Sequence, residues 1–215
     1  MSETRALTFF HAPNTRSTGV AILLEELGAP HETRILNMKA GEHRQPAYLA
    51  INPMGKVPAI LVGDPLTTEQ VAIYIHLADL FPAAGLAPGL SDPLRGPYLR
   101  WIAFYGSSFE PAIVDKALKR EPGAQGMSPY GTFDATIATL AAQLAKGPYI
   151  LGETFTAADI LWGTALKWTM GFKIVPELPE FTAYVARVCA RPAFAKVAAS
   201  DAALAEAHEK AAAAR

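Results

Sequence analysis

The run Asn52-Pro53-Met54-Gly55-Lys56-Val57-Pro58-Ala59-Ile60-Leu61 limits the folds open to this chain more than any other segment. The residues from Ala59 are apolar enough for a buried strand. Pro58 has no N–H for a sheet ladder and its ring fixes φ, so it can stand only at the strand's first position or on its edge. With a cis bond before Pro58, the N–H and C=O of Val57 lie outside the ladder and can pair with another extended peptide. The strand therefore carries a peptide-docking edge. A few residues on, Thr68-Glu69-Gln70 opens an apolar-periodic helix through Val71, Ile73, Ile75, Leu77 and Leu80. Its free N–H groups and positive dipole end suit a carboxylate, while Glu69 suits an ammonium, so one helix end can bind both charges of an amino acid.

The surrounding pattern is that of a small α/β unit. Ala6 to Phe10 reads as a buried strand, and Val20, Ile22, Leu23, Leu24 and Leu27 mark a helix that Gly28 stops. His31 to Ile35, Ala59 to Val62 and a short piece near Leu66 read as further strands, with a short helix over Gln45 to Ala50. The order βαβ then ββα is that of a thioredoxin-like unit, with a right-handed parallel crossover in its first half. Phe81 to Pro93, rich in proline and glycine, reads as the boundary. The segments 92–117, 130–146, 157–171, 179–191 and 192–210 all carry helical spacing. The division expected is residues 1–82, a linker over 83–91, and an all-α helical bundle over 92–215. Thr156 and Asp159 have the spacing of a capping box, a structural role.

Bulk properties narrow the function classes. With 19 Lys and Arg against 20 Asp and Glu there is no basic field for nucleic acid. A single cysteine, Cys189, excludes an internal disulfide and any multi-cysteine metal site, and it fits a reducing, cytoplasmic setting. The histidines show no ligand spacing, so no metal is expected. No signal segment and no run of about 18 apolar residues is present, so a soluble chain with no membrane partner is expected.

The Val57-Pro58 strand and the Glu69-Gln70 helix start resemble the glutathione-binding half of the cytosolic glutathione transferase family, and the Thr156/Asp159 box is similar to the capping motif of its helical domain. The resemblance runs from about Leu7 to Phe194. It implies that Val57, beside Pro58, pairs with the cysteinyl backbone of glutathione and that Glu69 and Gln70 hold its γ-glutamyl end, with Gln70 standing where the family has serine. Ala40-Gly41-Glu42-His43 is similar to the theta-class Lys-Gly-Glu-His segment, which implies that His43 contacts the glycine carboxylate, with Lys56 and Lys39 in support. It also implies a homodimer, with Met54 at the interface.

A thiolate must be formed from a thiol whose ordinary pKa is about 8.5, so donors or positive potential are required beside the sulfur. In a thioredoxin-like unit that place is the loop after the first strand, here Ala12-Pro13-Asn14-Thr15-Arg16-Ser17-Thr18. No Tyr precedes Tyr48 and no Cys precedes Cys189, so the tyrosine and cysteine types of the family have no counterpart. Alignment with the beta-class cysteine falls on Arg16, and alignment with serine classes nearer Thr15 or Asn14. Ser17 or Thr15 is expected as donor, with Arg16 as electrostatic support and Asn14 as the remaining candidate. Tyr105 and Phe109 are expected to line an apolar pocket for the second substrate. The activity implied is attack of the glutathione thiolate on an apolar electrophile. Glutathione-dependent disulfide or peroxide reduction, and a non-catalytic binding protein, are the alternatives.

Overall fold

The computed structural model describes residues 6–121 and 123–213, which form two compact units. The first comprises the chain up to Ala84 together with the chain from Pro192; the second runs from Gly85 to Arg191.

The first unit is built on strands β1 (Leu7–His11), β2 (Glu32–Ile35), β3 (Ala59–Val62) and β4 (Leu66–Thr67), in the order β2-β1-β3-β4. β1 runs parallel to β2, and β3 antiparallel to both its neighbours, which is the thioredoxin-like arrangement expected. Helix α1 (Ser17–Leu27) supplies the parallel crossover. It ends where glycine predicts: Gly28 takes φ 59°, and the N–H groups of Gly28 and Ala29 close on Glu25 and Leu24. Val20, Leu23 and Leu24 of α1, and Ile73, Tyr74 and Leu77 of α3 (Gln70–Leu80), are buried with Phe9 and Ile60 of the sheet. Each such aliphatic side chain, fully buried, contributes about 1.5–3 kcal/mol. Around the short helix α2 (Pro46–Leu49), Tyr48 packs with Phe10 and Ala59 in a second cluster that includes Val57.

The second unit contains α4 (Arg95–Phe104), α5 (Glu110–Ala117), α6 (Phe133–Leu144), α7 (Ala157–Gly171) and α8 (Pro179–Cys189). One continuous helix over 92–117 was the expectation; a π-helical turn, Tyr105–Phe109, divides it. Pro111 is the reason: it cannot donate to Ser107 and its ring crowds that carbonyl, and Gly106-Ser107-Ser108 resist regular helix weakly. Tyr105 and Phe109, at the two ends of that turn, are both buried. α7 and α8 meet so closely that a Cβ on Gly163 would lie 2.5 Å from a methyl of Val188. Asp159 anchors the start of α7, accepting from the N–H of Thr156 at 2.8 Å, from the N–H of Ile150 at 2.7 Å and from the Tyr184 hydroxyl at 2.8 Å. The expected capping box is present.

The division of the chain differs from the expectation at its end. α9 (Pro192–Ala213) belongs to the first unit, where it packs on α1; Phe194, Val197 and Asp201 are buried, and Asp201 accepts from the Thr18 hydroxyl of α1. A helical period cannot say which unit a helix buries its stripe against.

Candidate functional site

The site of interest gathers at the loop between β1 and α1. His11 ends β1 and is buried, and Ser17 opens α1 with 0% exposure. Ser17 Oγ lies 2.8 Å from His11 Nδ1, 2.7 Å from Thr15 Oγ1, 3.0 Å from the Ala12 carbonyl and 3.1 Å from the Ala12 N–H. Thr15 donates to the Ala12 carbonyl at 2.7 Å and accepts the Ser17 N–H. His11 Nε2 faces Asp201 Oδ1 at 2.9 Å.

The connectivity Ser17-His11-Asp201 has the order of a hydrolase triad, but a serine with no exposed surface can meet no substrate, so this is a structural network. The same burial corrects the expectation that Ser17 is a direct donor to a ligand sulfur: its hydroxyl is enclosed by its own loop. Nor does Ser17 or Asn14 cap α1. Thr15 is half-buried and engaged with Ala12, and Arg16 is exposed. Asn14 is exposed with φ 57°, its N–H donates to Asp201 Oδ2, and its carboxamide makes no hydrogen bond among the described residues.

The second part of the site is the approach to β3. The bond between Val57 and Pro58 is cis, and the ladder with β1 ends at the pair Phe10 and Ala59. The N–H and C=O of Val57 make no hydrogen bond among the described residues. The turn before it is rigid. Tyr48 Oη and Asn52 Nδ2 donate to the Lys56 carbonyl at 2.6 and 2.9 Å, and Met54 N–H donates to Asn52 Oδ1. Gly55 takes φ 58°, and a Cβ there would come within 2.7 Å of the His43 carbonyl oxygen, so only glycine lets the His43 segment lie against this turn. His43 Nδ1 is buried and without a hydrogen-bond partner among the described residues. Lys56 is exposed, while Lys39 pairs with Glu209 at 2.9 Å.

The third part is the start of α3. Glu69 precedes it with φ 60° and ψ 116°, a backbone that costs a non-glycine residue on the order of 1–3 kcal/mol and that marks functional positions more often than neutral ones. Gln70 Nε2 donates to the Arg16 carbonyl at 3.3 Å, which joins this helix end to the β1–α1 loop.

Chain comparison decides the family. The model of the glutathione S-transferase N-terminal domain matches residues 5–79, and that of the glutathione S-transferase C-terminal domain matches residues 130–187. Glutathione S-transferase PARB of Nicotiana tabacum is 30% identical over 198 residues, covering 85% of this chain and 92% of the relative. The chain belongs to the glutathione S-transferase family. A crystal structure of a glutathione transferase from Methylococcus capsulatus is 26% identical with a TM-score of 0.78, covering 92% of this chain and 99% of that one. A glutathione transferase homolog from Sulfitobacter, described with bound glutathione, is 29% identical with a TM-score of 0.73, covering 90% and 97%.

Within this family frame, two expectations for the second unit change. Tyr105 is 4% exposed and its hydroxyl donates to Glu110 at 2.6 Å; Phe109 is 0% exposed. Both stack in an aromatic cluster around Trp162, whose Nε1 donates to the Trp101 carbonyl, so they form core and not a pocket wall. The second unit does hold an open cavity of about 430 Å³, but it is lined by Lys116, Phe133, Met170 and residues 173–177. Burial pushes the Cys189 thiol up to about 11, away from the thiolate at neutral pH. Among the described residues no group of His, Cys, Asp and Glu could hold a metal, and no helix is long and apolar enough to cross a membrane.

His11 and Asp201 are the residues that sequence reading missed. Nothing in the local pattern joins them, because 190 positions separate the two and the contact depends on where α9 docks.

Proposed function

We propose that the protein binds glutathione along the first unit and directs its thiolate at the electrophilic carbon of a small apolar substrate. Glutathione's cysteinyl backbone pairs with the N–H and C=O of Val57, its glycine carboxylate meets His43 with Lys56, and its γ-glutamyl end lies at Glu69 and Gln70. The sulfur then falls at the β1–α1 loop. Asn14 is the donor best placed for it, with Thr15 and Arg16 beside it and Ser17 holding the loop from within. The carboxamide N–H favours the thiolate over the thiol. The sulfur forms the new C–S bond as a halide departs with the bonding pair, or as an epoxide opens and takes a proton from water.

The observation that carries this reading is the hydrogen bond from Gln70 to the Arg16 carbonyl, which joins the start of α3 to the β1–α1 loop as one continuous binding site requires. The glutathione-bound Sulfitobacter homolog supports the ligand. Met54, 66% exposed beside the Val57 turn, is proposed as an interface residue of a homodimer, and a monomer in sedimentation would remove that role.

Calorimetry with glutathione, followed by conjugation assays with aryl halides, epoxides and isothiocyanates, tests the proposal. Micromolar-to-millimolar binding and turnover on at least one electrophile are expected. Binding without conjugation but with rapid reduction of a mixed disulfide or hydroperoxide would assign the thiolate to reduction instead. No binding would leave a transferase fold without transferase function.

A further inference from the structure

Asp201 stands on α9, 187 residues from Asn14, yet its carboxylate organises the whole β1–α1 loop. Oδ1 accepts from His11 Nε2 at 2.9 Å; Oδ2 accepts from the Asn14 N–H at 3.2 Å and from the Thr18 hydroxyl. The three donors sit at the loop's beginning, middle and end. A carboxylate offers no hydrogen, so the proton between it and the imidazole belongs to Nε2, and Nδ1 meets the Ser17 hydroxyl. One side chain thereby fixes the last residue of β1, the first turn of α1 and, between them, a non-glycine residue in the left-handed region. Asn tolerates that region better than most residues, but a chain left to itself does not hold it, since the left-handed backbone crowds the Cβ of an L-residue against its carbonyl.

We propose that Asp201 is a positioning residue for thiol activation: by tying the Asn14 N–H, the Thr18 hydroxyl and His11 to one carboxylate, it holds the Asn14 carboxamide where the glutathione sulfur lies. This rests on the reading of the site given above, and it adds a residue from the far end of the chain that touches no substrate. His11 extends the clamp to Ser17 and, through Ser17, to Thr15. The carboxyl itself is suited to the task. Burial raises its pKa, but hydrogen bonds from His11, Thr18 and Asn14 together with the His11 charge outweigh burial and keep it below the ordinary aspartate value.

The test is the ionisation of bound glutathione in Asp201→Asn and in the milder Thr18→Val, read by thiolate ultraviolet absorbance across pH, together with glutathione affinity and the pH profile of kcat/KM. In Asp201→Asn the thiol pKa of bound glutathione should rise by about one unit, kcat/KM at pH 6.5 should fall about tenfold and approach wild type at high pH, and affinity should stay within about threefold. Thr18→Val, which leaves the His11 contact in place, should move the same quantities about threefold and answers the question if Asp201→Asn does not fold. An unchanged thiol pKa in a folded variant, with activity falling only in step with the folded fraction, would overturn the inference. If the wild type itself binds glutathione without lowering the thiol pKa, the transferase reading fails first, and that result is distinct from a failure of Asp201.

Discussion

Asp159 and Asp201 are both buried helix residues that take hydrogen bonds from a loop, yet their carboxyls are moved in opposite directions. Asp159, 0% exposed in the second unit, is pushed up to about 6 by burial, and the neutral donors Ile150, Thr156 and Tyr184 offset only part of that. Asp201, 4% exposed in the first unit, is also raised by burial, but the imidazole of His11 and the donors Thr18 and Asn14 bring it below the ordinary value. The difference is a cation-capable partner. Asp159 serves a helix start and nothing around it asks for charge. Asp201 serves a loop whose exposed end has a free carboxamide, and there a fixed negative charge is tolerated because His11 faces it.

The largest effect expected is on the purely structural partner. Asp159→Ala leaves the N–H groups of Ile150 and Thr156 and the Tyr184 hydroxyl without an acceptor in a dry interior, and should lower the unfolding free energy by about 3–5 kcal/mol. Asp201→Ala should cost less, about 2–3 kcal/mol, because only His11 of its three donors is buried, while Asn14 is exposed and Thr18 half-buried, so water can replace the acceptor for those two. Chemical denaturation of the two variants measures both, and the reverse order would break the comparison.

Next in size, Asn14→Ala should reduce kcat/KM for conjugation about 100-fold with a stability change under about 1 kcal/mol, whereas Ser17→Ala should lower activity and stability together. Steady-state kinetics beside thermal melts separates these patterns, and an Asn14→Ala enzyme as active as wild type would return the donor role to Thr15.

The two aspartates also differ in the sign of their pH dependence. Asp159 binds its proton more tightly folded than unfolded, so its contribution falls as pH rises from about 4 to about 6. The stability gap between wild type and Asp159→Asn should therefore shrink over that range by an amount on the order of 2 kcal/mol. Asp201 is lowered, so its contribution is present above the ordinary aspartate value and disappears as pH falls below it. Denaturation at pH 4.5 and pH 7 reads the first of these, and a gap that widens with pH would contradict it. The smallest effect is expected at His43: His43→Ala should weaken glutathione binding about tenfold with kcat nearly unchanged, as measured by calorimetry and kinetics.

Much of the scaffold was legible before any coordinates. The α1 stop at Gly28, the placement of Pro58 just ahead of β3 and the Thr156/Asp159 box all follow from rules that act within a few residues, on φ, on a missing N–H, or on a capping contact. The π-helical turn at Tyr105–Phe109 was missed although Pro111 signals it, because apolar periodicity alone runs straight through a proline. Tyr105 and Phe109 illustrate a harder case. Aromatic residues at helical spacing mark a stripe, but only packing around Trp162 shows that the stripe is interior.

By itself the sequence determined which backbone groups are left without ladder or helix partners, at Val57 and at the start of α3, because proline chemistry and helix ends are local properties. It also singled out Asn14, Thr15, Arg16 and Ser17 as the candidates of the β1–α1 loop. Which of those four side chains are buried and which exposed came only from the tertiary structure. Burial of Ser17 by its own loop, and the docking of α9 that brings Asp201 to His11, Asn14 and Thr18, are tertiary packing, which no rule acting within a few residues contains.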